Sequence, residues 1–391
     1  MKVDKSKWEV KKLGKVCNIL NGYAFKSNLF KEDGERIIRI SNINNGFIDI
    51  ADAVYFNIED YNVDLSKFVI YKNDILIALS GATTGKIGKY ILDNISYLNQ
   101  RVGLIRSKNN ISNSFLYYYM RNKTKESLSL AYGVAQPNLS TKTIQNYVIP
   151  VPPLPEQQAI ASELDAIQSL ITKYREQLND YDNLAKSIFN EMFGDVVSND
   201  RGWERKRLLD ISVSKGSYGA GSASAFMDLN RPRYIRITDI DDFGSLNDDY
   251  VVSENLNDDT QYLLKYGDML FARTGATVGK TYIYNTSEPQ IYAGYLIRFQ
   301  LNLNLVNPIF VFYYTKTNFY KKWVLDQNTG AAQPNVNAKK YGNLPIPLPP
   351  LPLQQKYAAR ITAIEAQKAK VKLQITDLQT LFDSRMQYYF D

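Results

Sequence analysis

The 391-residue sequence has no histidine, one cysteine and no apolar run approaching the roughly 18 residues that a membrane-spanning helix needs. Without imidazole, Ser-His-Asp and Cys-His triads, histidine-ligated zinc and histidine-metal nucleases are excluded, while carboxylate chemistry stays open. The lone Cys17 can form neither an internal disulfide nor a cysteine-based zinc site. Met1–Val10 carries no apolar signal-peptide core, so a cytoplasmic protein without membrane contact is expected. What the sequence has in excess is tyrosine, 29 residues against 17 phenylalanines and 3 tryptophans, a composition suited to half-buried, wet interfaces as well as cores.

The length favours two domains, and self-comparison shows one unit written twice. GVAQPNLSTKTIQNYVIPVPPLPEQQ at 133–158 and GAAQPNVNAKKYGNLPIPLPPLPLQQ at 330–355 share 15 of 26 positions at an offset of 197. Upstream, DILIALSGATTGKIGKYI (Asp74–Ile91) matches DMLFARTGATVGKTYIYN (Asp268–Asn285), and IIRISNI (Ile37–Ile43) matches YIRITDI (Tyr234–Ile240). Both copies open alike, Trp8-Glu9 then Leu13 and Trp203-Glu204 then Leu208. Four blocks in one order, with offsets drifting only from 194 to 197, confine insertions to loops.

Each copy divides into a mixed α+β part and a helical tail. Short β-branched runs at Ile75–Leu79, Met269–Ala272 and Tyr292–Gln300 predict strands, and Asn113–Asn122 and Pro308–Thr317 predict helices crowded with Tyr and Phe. In the first tail Pro155 suits the first helical position and Glu156 the positive helix end. Apolar residues follow at Ile160, Leu164, Ile167, Ile171, Tyr174, Leu178, Tyr181, Ala185, Ile188 and Met192, alternating four and three up to Gly194, a coiled-coil seam. The second tail continues at Tyr357, Ile361, Ile364, Val371, Ile375, Leu378, Phe382 and Tyr389, with Lys368 and Arg385 as polar exceptions. A helix of roughly 38 residues is about 57 Å long, more than either domain can cover. Each tail is therefore expected to be the other's partner. Because helix one leads from domain one to domain two and helix two starts at domain two, the pair must run antiparallel.

The formal charge of +7 is unevenly placed. Residues 1–154 carry 21 Lys+Arg against 13 Asp+Glu, residues 155–194 carry 3 against 7, residues 195–352 carry 17 against 16, and residues 353–391 carry 6 against 4. The acids of the near-neutral third segment cluster between Asp239 and Asp259, leaving Arg201–Arg207, Arg231–Arg236, Arg273, Lys280 and Lys316–Lys322 for a basic face. Basic clusters interleaved with Tyr, Asn, Ser and Thr suit a surface that follows phosphates and reads bases.

Three motifs were weighed for chemistry. The loops Gly81–Lys86 and Gly275–Lys280 fall short of a nucleotide-binding P-loop: three residues, not four, separate the glycines, and Ile87 follows the first lysine where a hydroxyl should stand. As strand-loop-strand tips they can still hold a nucleic-acid phosphate through backbone N–H groups and side-chain donors, or simply turn a hairpin. Asn307-Pro308-Ile309-Phe310 resembles the Asn-Pro-Pro-aromatic tetrapeptide of amino-methyltransferases, but one proline is missing and copy one has Asn113-Ser114-Phe115. It reads as a helix start, Asn307 capping and Pro308 first. The acid pairs Asp248-Asp249 and Asp258-Asp259 lack both a lysine at nuclease-like spacing and a counterpart in copy one.

Taken together, the Trp-Glu-x3-Leu opening, the Ile-Arg-Ile block, the Gly-Ala-Thr loop after an Asp-Ile/Met-Leu strand, Gln-Pro-Asn, and Pro-Leu-Pro-x-Gln-Gln leading into a long helix resemble the specificity subunit of a type I restriction-modification enzyme, over essentially the whole chain. Leu353, where copy one has Glu156, departs from the pattern. The resemblance implies two pseudo-repeated target recognition domains, 1–154 and 195–352, separated by long helices at 155–194 and 353–391 that form an antiparallel two-helix coiled coil. It implies a non-catalytic subunit that reads a split, asymmetric target in double-stranded DNA and docks two modification (methyltransferase) subunits, with restriction-translocase subunits as further partners. S-adenosylmethionine, ATP and magnesium then belong to partner subunits, and this chain binds no cofactor or metal.

Base contacts are expected from segments that differ between the copies, Tyr23, Lys26 and Ser27 in one and Ser217 and Tyr218 in the other. Phosphate contacts are expected from the shared loops around Thr83, Thr84 and Lys86 and around Thr277 and Lys280, and Arg39, Ser80, Arg236, Arg273 and Thr274 are further DNA-binding candidates. The helix seam is assigned to Ile160, Leu164, Ile167, Ile171, Leu178, Ile188, Ile361, Ile364, Ile375, Leu378 and Phe382. A duplicated protein-interaction adaptor and a carboxylate-dependent nuclease are the competing readings.

Overall fold

The computed structural model describes residues 3–391 except 45, 82, 109, 125–138, 226, 229, 256–258 and 328–333. The repeated Gly-x-Ala-Gln-Pro-Asn stretch at 133–138, most of its counterpart at 330–335 and the first acid of the 258–259 pair lie outside the described residues. Contacts divide the chain into two units, Met1–Tyr174 with Gln374–Asp391, and Arg175–Leu373.

In the first unit β1 (Glu9–Lys12) pairs antiparallel with β8 (Val148–Val151). The main sheet has the order β2 (Cys17–Asn21), β7 (Val102–Ser107), β4 (Ile75–Ala78), β5 (Ile87–Lys89), all antiparallel, and continues into two short strands, Gly46–Ile48 and Ile43–Asn44. In a second sheet β3 (Glu35–Ile38) lies parallel to β6 (Ser96–Leu98). The run Ile-Leu-Ile-Ala of β4 is buried on both faces because it separates two cores. Alternation sends Ile75 and Ile77 toward helix α1 (Asn113–Asn122), and Leu76 and Ala78 toward Ile38, Tyr90 and Leu98. On α1, Phe115, Leu116, Tyr117, Tyr118, Tyr119 and Met120 are all buried, which accounts for its aromatic crowding.

The second unit repeats this plan. β9 (Arg205–Arg207) pairs with β16 (Pro345–Pro347). The main sheet runs β10 (Ser217–Tyr218), β15 (Leu296–Gln300), β12 (Asp268–Ala272), β13 (Thr281–Ile283), and β11 (Arg233–Ile235) lies parallel to β14 (Gln290–Tyr292). Two expectations need correction here. The single strand expected over Tyr292–Gln300 is the end of β14 plus β15, in different sheets, because Leu296 N donates to Ala293 O (2.9 Å) and turns the chain between them. The helix expected over Pro308–Thr317 is α3 (Pro308–Tyr314), after which Thr317 caps a further helix, α4 (Asn318–Asp326), by accepting from Tyr320 N. Asn307 does cap α3, accepting from Ile309 N at 3.0 Å.

The long helices are α2 (Leu154–Phe193) and α5 (Leu351–Phe390), each 40 residues. Pro155 is the second rather than the first residue of α2. The Pro-Leu-Pro-x-Gln-Gln motif has a structural job at both starts. Gln157 accepts from Ser112 N (2.7 Å) and donates to Pro152 O (2.8 Å), and Gln354 accepts from Asn307 N (2.9 Å) and donates to Pro349 O (2.7 Å). One buried amide thus fixes the entry of each long helix to the start of the aromatic helix beside it. Trp8 Nε1 donates to Glu156 at 3.2 Å; Trp203 Nε1 donates to Phe193 O at 2.8 Å, so the second copy has no need of an acid where Leu353 stands.

Within the first unit Ile160, Leu164, Ile167 and Ile171 of α2 share a core with Phe382, Met386 and Tyr389 of α5, and Ile375 and Leu378 pack on its margin. Within the second, Ala185, Phe189 and Phe193 share a core with Tyr357, Ile361 and Ile364. Leu178 and Ile188 are half-buried. At this end of α2 the buried positions shift by one from Ile188 and Met192 to Phe189 and Phe193, because the helix meets the domain as well as α5, with Phe189 stacked on Phe310 at 5.7 Å. Both polar exceptions in the seam meet acids of α2: Lys368 with Asp182 (2.8 Å) and Arg385 with Glu163 (2.8 Å).

Candidate nucleic-acid interface

In the first unit three segments converge at one end of the main sheet. Tyr23 N donates to Leu98 O (2.8 Å), Gly22 N to Val102 O (3.2 Å) and Leu79 N to Arg101 O (2.9 Å), which brings Tyr23, Arg101 and the 79–86 hairpin tip together. The approach demands glycine at 22, where a Cβ would sit 2.2 Å from the Asn99 carbonyl oxygen. The second unit has the same crossing: Ala220 N donates to Tyr292 O (2.9 Å), Arg273 N to Tyr295 O (3.1 Å), and a Cβ on Gly219 would lie 2.2 Å from Tyr292 O. Side chains at matched places differ: Tyr23 against Ala220, Arg101 against Tyr295, Leu79 against Arg273.

The hairpin tips are closed by their own backbone. Thr84 N donates to Gly81 O, Gly85 N to Ala78 O and Lys86 N to Thr83 O, all within 2.8–3.1 Å, and Val278, Gly279 and Lys280 repeat the set at 3.0–3.2 Å. Gly85 and Gly279 take φ of 81° and 87°, so geometry requires these glycines. Three backbone N–H groups of each tip are therefore engaged within the turn. Thr84 is buried, its hydroxyl donating to Gly81 O at 2.6 Å, and Thr277 donates to Thr274 O at 3.1 Å, so both hydroxyls hold the turn. Thr274 stands at the N-terminal position of the tip's 3-10 turn without a side-chain capping bond and bridges to Asn335. Ser80 Oγ and Thr83 Oγ1 are enclosed without a hydrogen-bond partner, and Lys86 is half-buried without an ion pair among the described residues.

The basic residues separate into free and committed. Arg39 donates to Asp52 O (2.9 Å) and stays half-exposed. Arg236, its counterpart, is paired with Asp239 (2.7 Å) and Asp249 (2.5 Å), which gives one of the acid pairs a structural partner. Lys280 is likewise held, by Ile240 O and Asp242, both at 3.1 Å. Arg273 lies over the exposed Tyr218 ring at 4.9 Å, and Ser217 bonds the Tyr292 hydroxyl at 2.9 Å, so the second unit presents a Tyr218–Arg273 pair beside Tyr295. Tyr23 is only half available: its ring packs on Phe25, Tyr61 and Phe68 at 5.1–5.8 Å, while Lys26 and Ser27 beside it are exposed. Arg101 was missed by the sequence reading. It is exposed with no ion pair among the described residues, and only the pairing of Tyr23 with Asn99 reveals that it borders the same surface.

The remaining buried ionisable groups are structural. Asp74 is clamped by Arg106 at 2.5 and 2.8 Å, and its counterpart Asp268 faces Arg298 at 3.7 Å, with burial raising its carboxyl above the usual range. Burial pushes the Cys17 thiol up to about 12. Among the described residues no group of three or more Cys, Asp and Glu is arranged to hold a metal ion, and no helix is long and apolar enough to cross a membrane.

Comparison with known proteins places this surface in context. Among curated proteins, the MjaVIII specificity subunit of Methanocaldococcus jannaschii is 35% identical over 190 residues, 47% of this chain and 44% of that protein. The EcoBI specificity subunit of Escherichia coli is 22% identical over 393 residues, covering 93% and 80%. The match to the EcoAI specificity subunit spans 29% of that protein, so the chain covers less than half of two of these relatives. The S subunit of the type I restriction-modification system of M. genitalium shares the fold, with a TM-score of 0.58 at 14% identity over 100% of this chain and 98% of that one. The family described as the type I restriction modification DNA specificity domain matches twice, over residues 5–180 and 201–377, and the chain, carrying that domain in both of its units, belongs to this family of type I specificity subunits.

Proposed function

We propose that the chain is the DNA-reading subunit of a type I restriction-modification system, each unit reading one half of a bipartite, asymmetric target. The observation that carries this is the repeated crossing of three segments at the end of each main sheet, with the same backbone bonds and different side chains in the two copies. A common frame with different contact residues suits two half-sites of different sequence. In this reading the long helices form one antiparallel coiled coil that sets the half-site spacing. Two weak half-site readings then become one tight reading through effective concentration, at one spacing only.

The partners in this proposal are double-stranded DNA, two methyltransferase subunits and restriction-translocase subunits. S-adenosylmethionine, ATP and magnesium are bound by those subunits, and this chain contributes no catalytic group. Exchanging Tyr23–Ser27 is expected to alter the half-site sequence, whereas Lys86→Ala weakens binding to every sequence and makes its salt dependence shallower by about one unit of slope. A Lys86→Ala variant with altered base preference and an unchanged salt slope, measured on the assembled complex, would reverse these assignments.

A further inference from the structure

The second domain is almost neutral by count, 17 Lys+Arg against 16 Asp+Glu, yet four of its unit's lysines converge on one place. A cleft of about 540 Å³ between α2, the connection from α3 to α4, α4 and the 275–280 hairpin is lined by Lys186, Lys280, Lys316 and Lys321, and an adjoining cavity of about 320 Å³ also has Lys186 and Lys316 on its wall. Lys186 and Lys280 are distant in sequence from each other and from the Lys316/Lys321 pair, so the fold gathers them. Lys316 Nζ lies over the Phe312 ring at 4.5 Å and donates to Thr281 Oγ1 at 3.0 Å; Lys186 lies over Phe243 at 5.8 Å. Lys186 and Lys321 are exposed and without ion pairs among the described residues. The facing acids are Asp241, whose carboxylate takes Phe243 N and Ser245 N, and Asp242, 83% exposed and engaged with Lys280; Asp182 and Glu365 in the adjoining cavity are matched by Lys368. Burial with incomplete compensation by these acids pushes the Lys316 ammonium down to about 7.

In the first unit a cleft of about 820 Å³ sets Asp383 and Asp391 beside Arg121, the one basic residue on its wall among the described residues. Arg121 donates to Gln168 at 3.2 Å and lies over the Phe382 ring at 5.0 Å. Among the described residues, the lysine cluster is found in the second unit's cleft.

We propose that the Lys186–Lys316–Lys321 cleft is a backbone-phosphate site of the second unit, beside the hairpin tip and distinct from the Tyr218–Arg273 pair. Lysine ammoniums are point charges suited to phosphate, and Gly279 and Lys280 of the hairpin form one wall of the cleft, so a duplex reaching that hairpin passes its mouth. The site rests on the DNA-reading function proposed above.

The test uses the full chain assembled with its methyltransferase subunits, measuring duplex affinity by anisotropy from 0.05 to 0.3 M salt as roughly the range over which phosphate contacts dominate. Lys186→Ala with Lys321→Ala is expected to make the plot of log affinity against log salt shallower by about 1.8, two phosphates at about 0.9 each, a loss of about 60-fold at 0.1 M salt. The methylated sequence stays the same, and Lys186→Arg with Lys321→Arg restores the slope. An unchanged slope in the alanine pair, or a loss of affinity at constant slope, overturns the site. Salt-independent or absent duplex binding by the unaltered complex instead overturns the DNA-reading function itself.

Discussion

Two glutamines show how a conserved-looking motif acquires a physical meaning at the level of single residues. Pro-Leu-Pro-x-Gln-Gln invites a functional reading, yet Gln157 and Gln354 are buried and bond backbone groups at both ends of the junction between the aromatic helix and the long helix. Gln354→Ala leaves Asn307 N and Pro349 O unpaired, and we expect a loss of about 1–3 kcal/mol in urea unfolding, with Gln157→Ala alike. A change below about 0.3 kcal/mol in both would show that the amides are dispensable. Lys316 supplies a pH test. Its ammonium titrates at about 7 in the folded chain, but near 10.4 when unfolded. Between those values the unfolded chain holds the extra proton, so this residue makes stability rise with pH; below pH 7 the folded chain bears the full cost of the buried charge. Lys316→Met should therefore exceed the parent in urea midpoint at pH 6, the advantage shrinking toward pH 9, and a gap independent of pH would contradict the assignment.

Elements were legible in the sequence wherever periodicity ran long. Both 40-residue helices were readable from their four-three alternation, and their polar exceptions, Lys368 and Arg385, turn out to face acids of the other helix. The misreadings fall where short-range geometry decides. Tyr292–Gln300 looks like one strand because every other residue is apolar, yet the turn at Ala293–Leu296 divides it between two sheets. The bonding of several candidate DNA-binding residues was hidden for a related reason. Arg236, Lys280, Thr84 and Thr277 have suitable chemistry, but their bonds lie within the fold, and sequence does not reveal which cation an acid three or more residues away has claimed. Arg101 was missed because its neighbour Tyr23 is distant in the chain. If the helices set the spacing, four residues inserted after Tyr174, with four inserted before Gln374 to keep the pairing, lengthen the spacer by about 6 Å, about two base pairs at 3.4 Å each. Methylation at the original spacing would remove the ruler from the account.

At the scale of the whole molecule the duplication organises everything else. Two units share the order of the four main-sheet strands, the parallel pair, the aromatic helix and its glutamine tie, while they differ in the side chains carried by the crossing segments and, among the described residues, in the charge of the cleft beside the long helix. The near-neutral second domain is thus compatible with a local cationic surface, because charge is placed rather than merely summed. The central claim is that the chain directs methylation to a bipartite DNA target. It is tested most directly by sequencing methylated adenines genome-wide in the host with the chain present and with its gene deleted. The account predicts a single split, asymmetric motif, two specific blocks separated by a fixed unspecified spacer, methylated in the first strain and unmethylated in the second. An identical methylation map in both strains, or loss of a continuous motif without a spacer, would contradict it.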